Sequence, residues 1–345
     1  MAALDPEKNS MTTLYSCMLA ARRGLGLLVL LPLIACAAGE DYSLHPAAAE
    51  FIERLVAEDG FSRNELEELF SRAERQDRIL EAIARPAEKT RPWHEYREIF
   101  VTDKRTRQGL EFMREHEEAL ARAEAETGVP ASVIAAVIGV ETYYGRVTGS
   151  HRVLNALSTL AFDYPPRSEF FTRELRHYLI LTREQGIDPL SLKGSYAGAM
   201  GYGQFMPSSY RSYAVDFDGD GLIDIWENPV DAIGSVANYF KRHGWRPGEK
   251  VIVPARREGD VPDGWLNAGL KPERRVAQFI AAGFEPLGDV PDDALATGID
   301  LEGKDAREYW MGLHNFYVIT RYNHSAMYAL SVYQLSQRLH AESGA

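Results

Sequence analysis

Apolar residues recur at helical spacing along most of the chain, which predicts a mainly α protein. Pro46 opens a first helix with Phe51, Ile52 and Leu55 on one side. Ser62-Arg63-Asn64-Glu65 reads as a capping box before Leu66, Leu69 and Phe70. A third helix is predicted over 76–84, and these segments form a small helical layer. Pro86 and Pro92 mark a linker over 85–92, and 93–101 reads as an extended or short helical arm that drapes across another domain. Thr106 to Thr127 predicts one long, charge-rich helix with Leu110, Met113 and Leu120 inward and its charges solvated. Residues 46–127 are therefore expected to be an N-terminal helical domain with an arm near 85–101.

Gly128 breaks that pattern, and an apolar helix is predicted from Pro130, whose missing N–H suits a first turn. Val133, Ala136, Val137 and Val140 supply its buried face, and it ends at Glu141-Thr142-Tyr143-Tyr144-Gly145. Glu141 is thus a carboxyl at the end of a buried helix among aromatics. A carboxyl that ionises at a cost has a raised pKa and can serve as a general acid.

Residues 147–161 read as a loop with a short helix, and 168–185 as a helix stopped by Gly186. Over 193–209, glycines at 194, 198, 201 and 203 spoil helix and strand propensity alike. They predict tightly packed backbone or the floor of a site. The stretch lacks the lysine–serine pair of a phosphate loop. Residues 229–243 form an amphipathic helix with Gly244 as its C-cap, and His243 reads as a cap or packed residue. Residues 247–311 change character: VIVPA reads as a strand, Pro272 opens a helix through Ala282, and the whole is a small β-rich module. Helices over 315–321 and 325–341 close the chain, within a C-terminal segment 312–345.

Asp216 to Glu227 matches the calcium loop of an EF-hand. Asp216, Asp218, Asp220, Asp224 and Glu227 fall at positions 1, 3, 5, 9 and 12. Gly221 stands at position 6, and Leu222 offers its carbonyl at position 7. A hard cation wants many oxygens, and the glycine permits the turn between them. One such loop without a partner loop predicts structural calcium, with sodium an alternative. Asp231 reads as part of the next helix's cap.

The first 40 residues differ from the rest. Arg22-Arg23 precede a short apolar run ending at Cys36, the pattern of a secretion signal. The lead before it is long and polar, and Met11 and Met18 offer alternative starts. Leu33-Ile34-Ala35-Cys36 resembles a bacterial lipoprotein processing box. That implies a signal over 1–35, lipid on Cys36 and a tether over 36–45. Ala37 after the cysteine favours the periplasmic side of the outer membrane. Cys17 and Cys36 are the only cysteines, so no disulfide, thiol nucleophile or cysteine metal site is expected in the mature chain. The formal net charge of -12 argues against a nucleic-acid partner.

Four stretches in order strongly resemble the membrane-bound lytic murein transglycosylase B family. They are ETYYG from Glu141, SYAGAMGYGQFMPSS from Ser195, DAIGSVANYFKRHGW from Asp231, and NFYVITRYNHSAMYA from Asn315, with the calcium loop between the second and third. The resemblance covers about residues 46–340. It implies a lysozyme-like catalytic core over 128–246, with the added helical domain and the small β-rich module.

The resemblance also implies cleavage of the β-1,4 bond between N-acetylmuramic acid and N-acetylglucosamine in peptidoglycan, without water, leaving 1,6-anhydromuramic ends. Glu141 would act as acid and then base, with the substrate acetamide stabilising C1 and no cofactor in the chemistry. Ser195 would orient that acetamide, Gln204 would contact sugar, and Phe205 and Met206 would wall the cleft. Tyr239, Tyr322, Asn323 and Tyr328 would surround the acid and the sugar. The implied partners are glycan strands and a membrane, with other cell-wall enzymes a further class, and the enzyme is expected to be a monomer. Two alternatives are a hydrolytic muramidase, which needs a second carboxylate with Asp163 nearest in sequence, and a non-catalytic peptidoglycan-binding lipoprotein.

Overall fold

A computed structural model describes residues 41–84 and 91–344. The secretion signal, Cys36, the tether up to residue 40 and most of the linker over 85–92 lie outside the described residues. The N-terminal layer is α1 (Pro46–Asp59), α2 (Arg63–Ser71) and α3 (Asp77–Ile83). The Ser62 hydroxyl accepts the Glu65 N–H, as the capping pattern requires. Phe51, Phe70 and Phe162 pack edge to face at the base of this layer.

The arm over 93–101 is helical: α4 (Trp93–Phe100). Trp93 is buried, and its indole N–H donates to Glu308 Oε2 at 2.9 Å. Arg97 pairs with the same carboxylate at 3.6 Å. The arm thereby ties the helical part of the chain to the sheet module.

The expected long helix over 106–127 is two: α5 (Asp103–Glu115) and α6 (Glu117–Thr127), with His116 non-helical between them. The break has a packing reason. α5 lies on α7 (Ala131–Thr142) and α14 (Ala326–Ser343), whereas α6 lies mainly on α11 (Pro229–Arg242). One straight helix could not face both. Pro130 is the extended residue before α7 rather than part of its first turn. The Glu124 carboxylate accepts the Ala131 N–H at 2.9 Å and so caps α7 from the end of α6.

The loop with a short helix expected over 147–161 holds a short strand, β1 (His151–Arg152), and a longer helix than expected, α8 (Val153–Asp163), which is buried from Val153 to Ala161. Its polar residues Asn155, Ser158 and Thr159 are buried too, so it has no solvated face to produce an amphipathic period. α8 packs on α9 (Ser168–Gln185). β1 pairs with β2 (Lys193–Gly194), setting His151 opposite Gly194. This pins the start of the glycine stretch, and α10 (Pro207–Tyr213) follows it.

Beyond α11 the chain forms an antiparallel sheet. Its strands are β3 (Ile252–Arg257), β4 (Arg274–Arg275), β5 (Phe284–Pro286), β6 (Leu295–Glu302) and β7 (Arg307–Gly312), in the order β4-β6-β7-β3-β5. Residues Pro272 and Glu273 lead into β4, and the helix of this module, α12 (Val276–Ala281), begins later than expected. The sheet has its own cluster around Val276, Phe279, Phe284 and Met311. A second, larger cluster runs without interruption from Tyr42 through the α7 residues to Leu339. The N-terminal layer and the α7 region therefore share one core. α13 (His314–Tyr322) leads from the sheet back to that core, where α14 lies on α7.

Candidate active site

α7 is apolar all round and buried from Ser132 to Val140. It ends in an abrupt turn: Tyr143, Tyr144 and Gly145 have φ of 59, 61 and 80. Two successive non-glycine residues in the left-handed region are costly and need outside support. Thr142 Oγ1 accepts the Gly145 N–H at 3.0 Å and donates to the Tyr202 carbonyl at 2.8 Å. Tyr144 packs where Gly109 and Gly139 leave room, since a Cβ there would lie 2.3 and 2.6 Å from its phenol oxygen. The Arg105 guanidinium sits over the Tyr143 ring at 4.1 Å.

This turn presents Glu141, half-buried, to α14. Tyr328, 2% exposed, donates its hydroxyl to Glu141 Oε1 at 2.7 Å. Tyr322 donates to the Gly203 carbonyl at 2.5 Å and so holds the glycine stretch against α13. Burial, and after it the Glu141 charge, pushes both phenols well above their ordinary range. Both therefore stay protonated and able to donate. Tyr239 lies one layer back: its ring meets Tyr322 at 4.7 Å and stacks on His243 at 4.0 Å, and its hydroxyl donates to the Arg321 carbonyl. Burial lowers the His243 pKa, as suits a packed neutral ring.

The glycine stretch folds as a tight knot. Met200 and Phe205 exchange backbone hydrogen bonds at 2.9 Å. Gly201 has φ 68, and a Cβ there would lie 2.4 Å from the Ile225 carbonyl, where the acidic loop ends. Gln204 also has positive φ, and its amide nitrogen donates to the carbonyls of Thr148 and Gly201. Both amide protons are thus used, which leaves its oxygen for a ligand. Ser195 Oγ accepts from the N–H of Ala197 and of Ala199, so its proton is what it offers. Phe205 does not wall a cleft. Its side chain is 3% exposed and packs between Tyr239 and Tyr322, because the Met200 bridge turns it inward. Met206, half-buried, caps the start of α10. Asn323 ends α13, half-buried, one residue beyond Tyr322.

In the acidic loop, carboxylate oxygens of Asp216, Asp218 and Asp231 lie within 4.8 Å of one another. Asp231 is buried and accepts the N–H groups of Phe217, Asp218 and Asp224. An all-oxygen set of this kind fits a hard cation. The group differs from the expected one. Asp231, outside the expected set, stands with Asp216 and Asp218, while Asp220 Oδ1 accepts from Leu222 and Asp224 Oδ1 from Trp226 and Glu227. Asp231 was legible in the sequence only as a helix cap. Arg105 was missed altogether: it stands one residue before the charge-rich stretch that begins at Thr106, where no apolar pattern marks it, yet it is 6% exposed.

Asp163, the candidate second carboxylate, is engaged elsewhere. It accepts from the Tyr42 hydroxyl at 2.7 Å and pairs with Arg75 at 3.3 Å, in the N-terminal layer.

The chain matches the family model described as Transglycosylase SLT domain over residues 43–337. It is 46% identical over 308 residues to the membrane-bound lytic murein transglycosylase B of Escherichia coli K12, covering 87% of this chain and 84% of that protein. Catenated lytic transglycosylase SltB1 from Pseudomonas aeruginosa superimposes with TM-score 0.85 at 52% identity, covering 88% of this chain and all of the other. The Escherichia coli lytic transglycosylase Slt35 in complex with calcium gives 0.81 at 45%, covering 89% and 97%. SltB3 from Pseudomonas aeruginosa in complex with NAG-anhNAM-pentapeptide gives 0.74 at 30%, covering 85% and 78%. The mainly α class, with a lysozyme-like core and a small sheet module, holds. With the match running through nearly the whole described chain and Glu141 set at the end of its buried helix, the protein belongs to the SLT-domain lytic murein transglycosylases, enzymes that act on peptidoglycan.

Proposed function

We propose that this enzyme cleaves the bond between N-acetylmuramic acid and N-acetylglucosamine without water, with Glu141 as its single acid and base. The observation that carries the reading is the Glu141 carboxyl held by Tyr328 at the end of a buried helix, while Asp163 is bound up with Tyr42 and Arg75. Glu141 first protonates the leaving glycosidic oxygen. The resulting carboxylate, stabilised by the Tyr328 hydroxyl, then takes the proton of the muramyl C6 hydroxyl as that oxygen closes onto C1. One group can serve both steps because each returns it to the other protonation state. Without a protein nucleophile, the muramyl acetamide oxygen stabilises C1. The Ser195 proton and the Gln204 oxygen are the groups left to hold the acetamide and a sugar hydroxyl. Tyr239, Tyr322 and Asn323 support the acid's surroundings.

The ligand of SltB3, NAG-anhNAM-pentapeptide, is of the class this reaction would release. Digestion of purified sacculi tests the reading. Muropeptide ends lighter by one water than hydrated ends are expected; hydrated reducing ends would favour a hydrolase instead. Glu141→Gln should abolish turnover while glycan binding persists.

Asp216, Asp218 and Asp231 would hold a calcium ion in the acidic loop, with Asp220, Leu222, Asp224 and Glu227 completing its oxygen shell. The ion would fix the Ile225 end of the loop against Gly201. Lipid on Cys36 would anchor the enzyme at the outer membrane, as suits a relative named membrane-bound. Each buried CH₂ adds about 0.8 kcal/mol to such an anchor. Cys36→Ser should move the enzyme to the soluble fraction; retention at the membrane would refute the anchor.

A further inference from the structure

The first described residues are clamped to the core. Tyr42 is buried, and its hydroxyl donates to Asp163 Oδ2 at 2.7 Å. Burial pushes that phenol up, so it stays a donor. Its backbone N–H donates to the Phe70 carbonyl at 3.1 Å. Arg75 pairs with the other oxygen of Asp163 at 3.3 Å, and Asp41 bridges to Glu74. The His45 ring stacks on Phe162 at 5.7 Å, and the His45 N–H closes the turn onto the Tyr42 carbonyl. Inside this tightly held turn, Leu44 is 93% exposed. The next most exposed large apolar side chain among the described residues, Val147, is 66% exposed.

The clamp limits how far the body stands from an anchor at Cys36. Five peptide units separate Cys36 from Asp41, at most about 18 Å of chain. A folded chain of this length is about 50 Å across. A tether so much shorter than the body it holds keeps the face around Tyr42 turned to the anchor. The glycine stretch lies elsewhere. β1, which pairs with the strand before Ser195, leads into α8, and α8 ends at Asp163 in the clamp. The eleven residues of α8 set the two sites about 16 Å apart. Contact at the clamp therefore leaves the glycine stretch standing off the surface.

The chemistry of the face selects what it rests on. Segment 72–78, bridged to Asp41 through Glu74, exposes Arg72 and Arg78 but also Glu74 and Asp77. Those charges largely cancel and favour no strongly charged partner. Leu44 is the group that gains by leaving water. A lipid anchor holds more firmly when a second contact supports it.

We infer that the face around Tyr42 is a membrane-contact surface, with Leu44 inserted into the lipid beside the Cys36 anchor. The inference rests on the reading of Cys36 as lipidated. Through the Tyr42–Asp163 clamp it makes the orientation of the enzyme on the bilayer, as well as its location, a property of the fold.

The experiment uses the cysteine count. With Cys36 acylated and the signal removed, the mature chain has no free thiol, so one introduced cysteine carries one fluorophore. Ser43→Cys labels the exposed neighbour of Leu44, and Leu287→Cys, at a side chain 58% exposed in the sheet module, is the control. The lipidated proteins are placed on vesicles of phosphatidylethanolamine and phosphatidylglycerol containing a spin-labelled lipid. Flotation reads the anchor, and quenching reads the face. The label at 43 should lose most of its emission, at high salt as at low, while the label at 287 keeps its own. Adding Leu44→Asp should restore most of the emission at 43 with flotation unchanged. Floating protein whose label at 43 is quenched no more than that at 287 overturns the inference and leaves the lipid reading standing. Quenching that survives Leu44→Asp, or that vanishes at high salt, overturns the insertion of Leu44. Protein that fails to float overturns both readings.

Discussion

The hydroxyl of Tyr328 lies 2.7 Å from Glu141 Oε1, although 187 residues separate them. A donor at that position favours the carboxylate over the protonated acid. It therefore supports the charge that develops as Glu141 gives up its proton. Tyr328→Phe should lower kcat roughly tenfold, the worth of one charge-assisted hydrogen bond of about 1.5 kcal/mol. The acid, no longer helped to ionise, stays protonated to higher pH, so the alkaline limb of the kcat profile should move up. A limb that stays in place would separate Tyr328 from the acid.

Arg105 should contribute to rate without contributing to stability. It is nearly buried, has no carboxylate within ion-pair distance among the described residues, and supports Tyr143 just beyond the acid. Burial lowers its pKa, with the neighbouring Tyr143 phenol opposing that shift. Replacing an unpaired buried charge by an apolar residue of similar length is close to neutral in stability. Arg105→Met should keep Tm within a few degrees yet lower kcat about tenfold through the loosened turn, with KM little changed. A large fall in Tm at unchanged kcat would mean that Arg105 serves packing alone.

Gly139→Ala should be destabilising although alanine is the better helix former. A Cβ at 139 would lie 2.6 Å from the Tyr144 phenol, which must shift and drag the turn after Glu141 with it. The expected cost is about 1–3 kcal/mol, read by urea denaturation. A stabilised variant would show that the turn is not held from beneath.

Stability should decline on mild acidification. His116, His177 and His243 all have pKa values lowered mainly by burial. The unfolded chain then binds more protons than the native one between the folded values and about 6.5. Their contribution is complete above that range and is lost as pH falls through it. His243→Phe keeps a ring for the Tyr239 stack but cannot titrate. The fall in its Tm between pH 7.5 and 5.5 should therefore be smaller than in the wild type. An equal fall would place the sensitivity elsewhere.

Calcium removal should act on stability before it acts on rate. An ion held by the native loop and poorly by the unfolded chain adds its binding energy to folding. Chelation should lower Tm more than it lowers activity at low temperature, and Asp231→Ala should remove the response. No rise in Tm when calcium is returned to a chelated sample would argue against a folded ion site.

Much of the architecture was legible because local chemistry enforces it. Pro46, Gly186 and the Ser62 cap bound helices where expected, and the strand at 252–257 and the closing helices followed from pattern alone. Failures came where burial erased the pattern or where partners differed along one segment. α8 has no polar face to betray its full length, and α5 and α6 part at His116 because they serve different neighbours.

By itself the sequence determined the helix ending at Glu141, the glycine knot and the acidic turn, since each rests on residues adjacent in the chain. Only the tertiary structure decided that Tyr328 reaches the acid, that Phe205 turns inward, that Asp231 joins the carboxylates, and that Arg105 is buried. Each of these depends on a side chain meeting a partner distant in sequence, and no local periodicity encodes such a meeting.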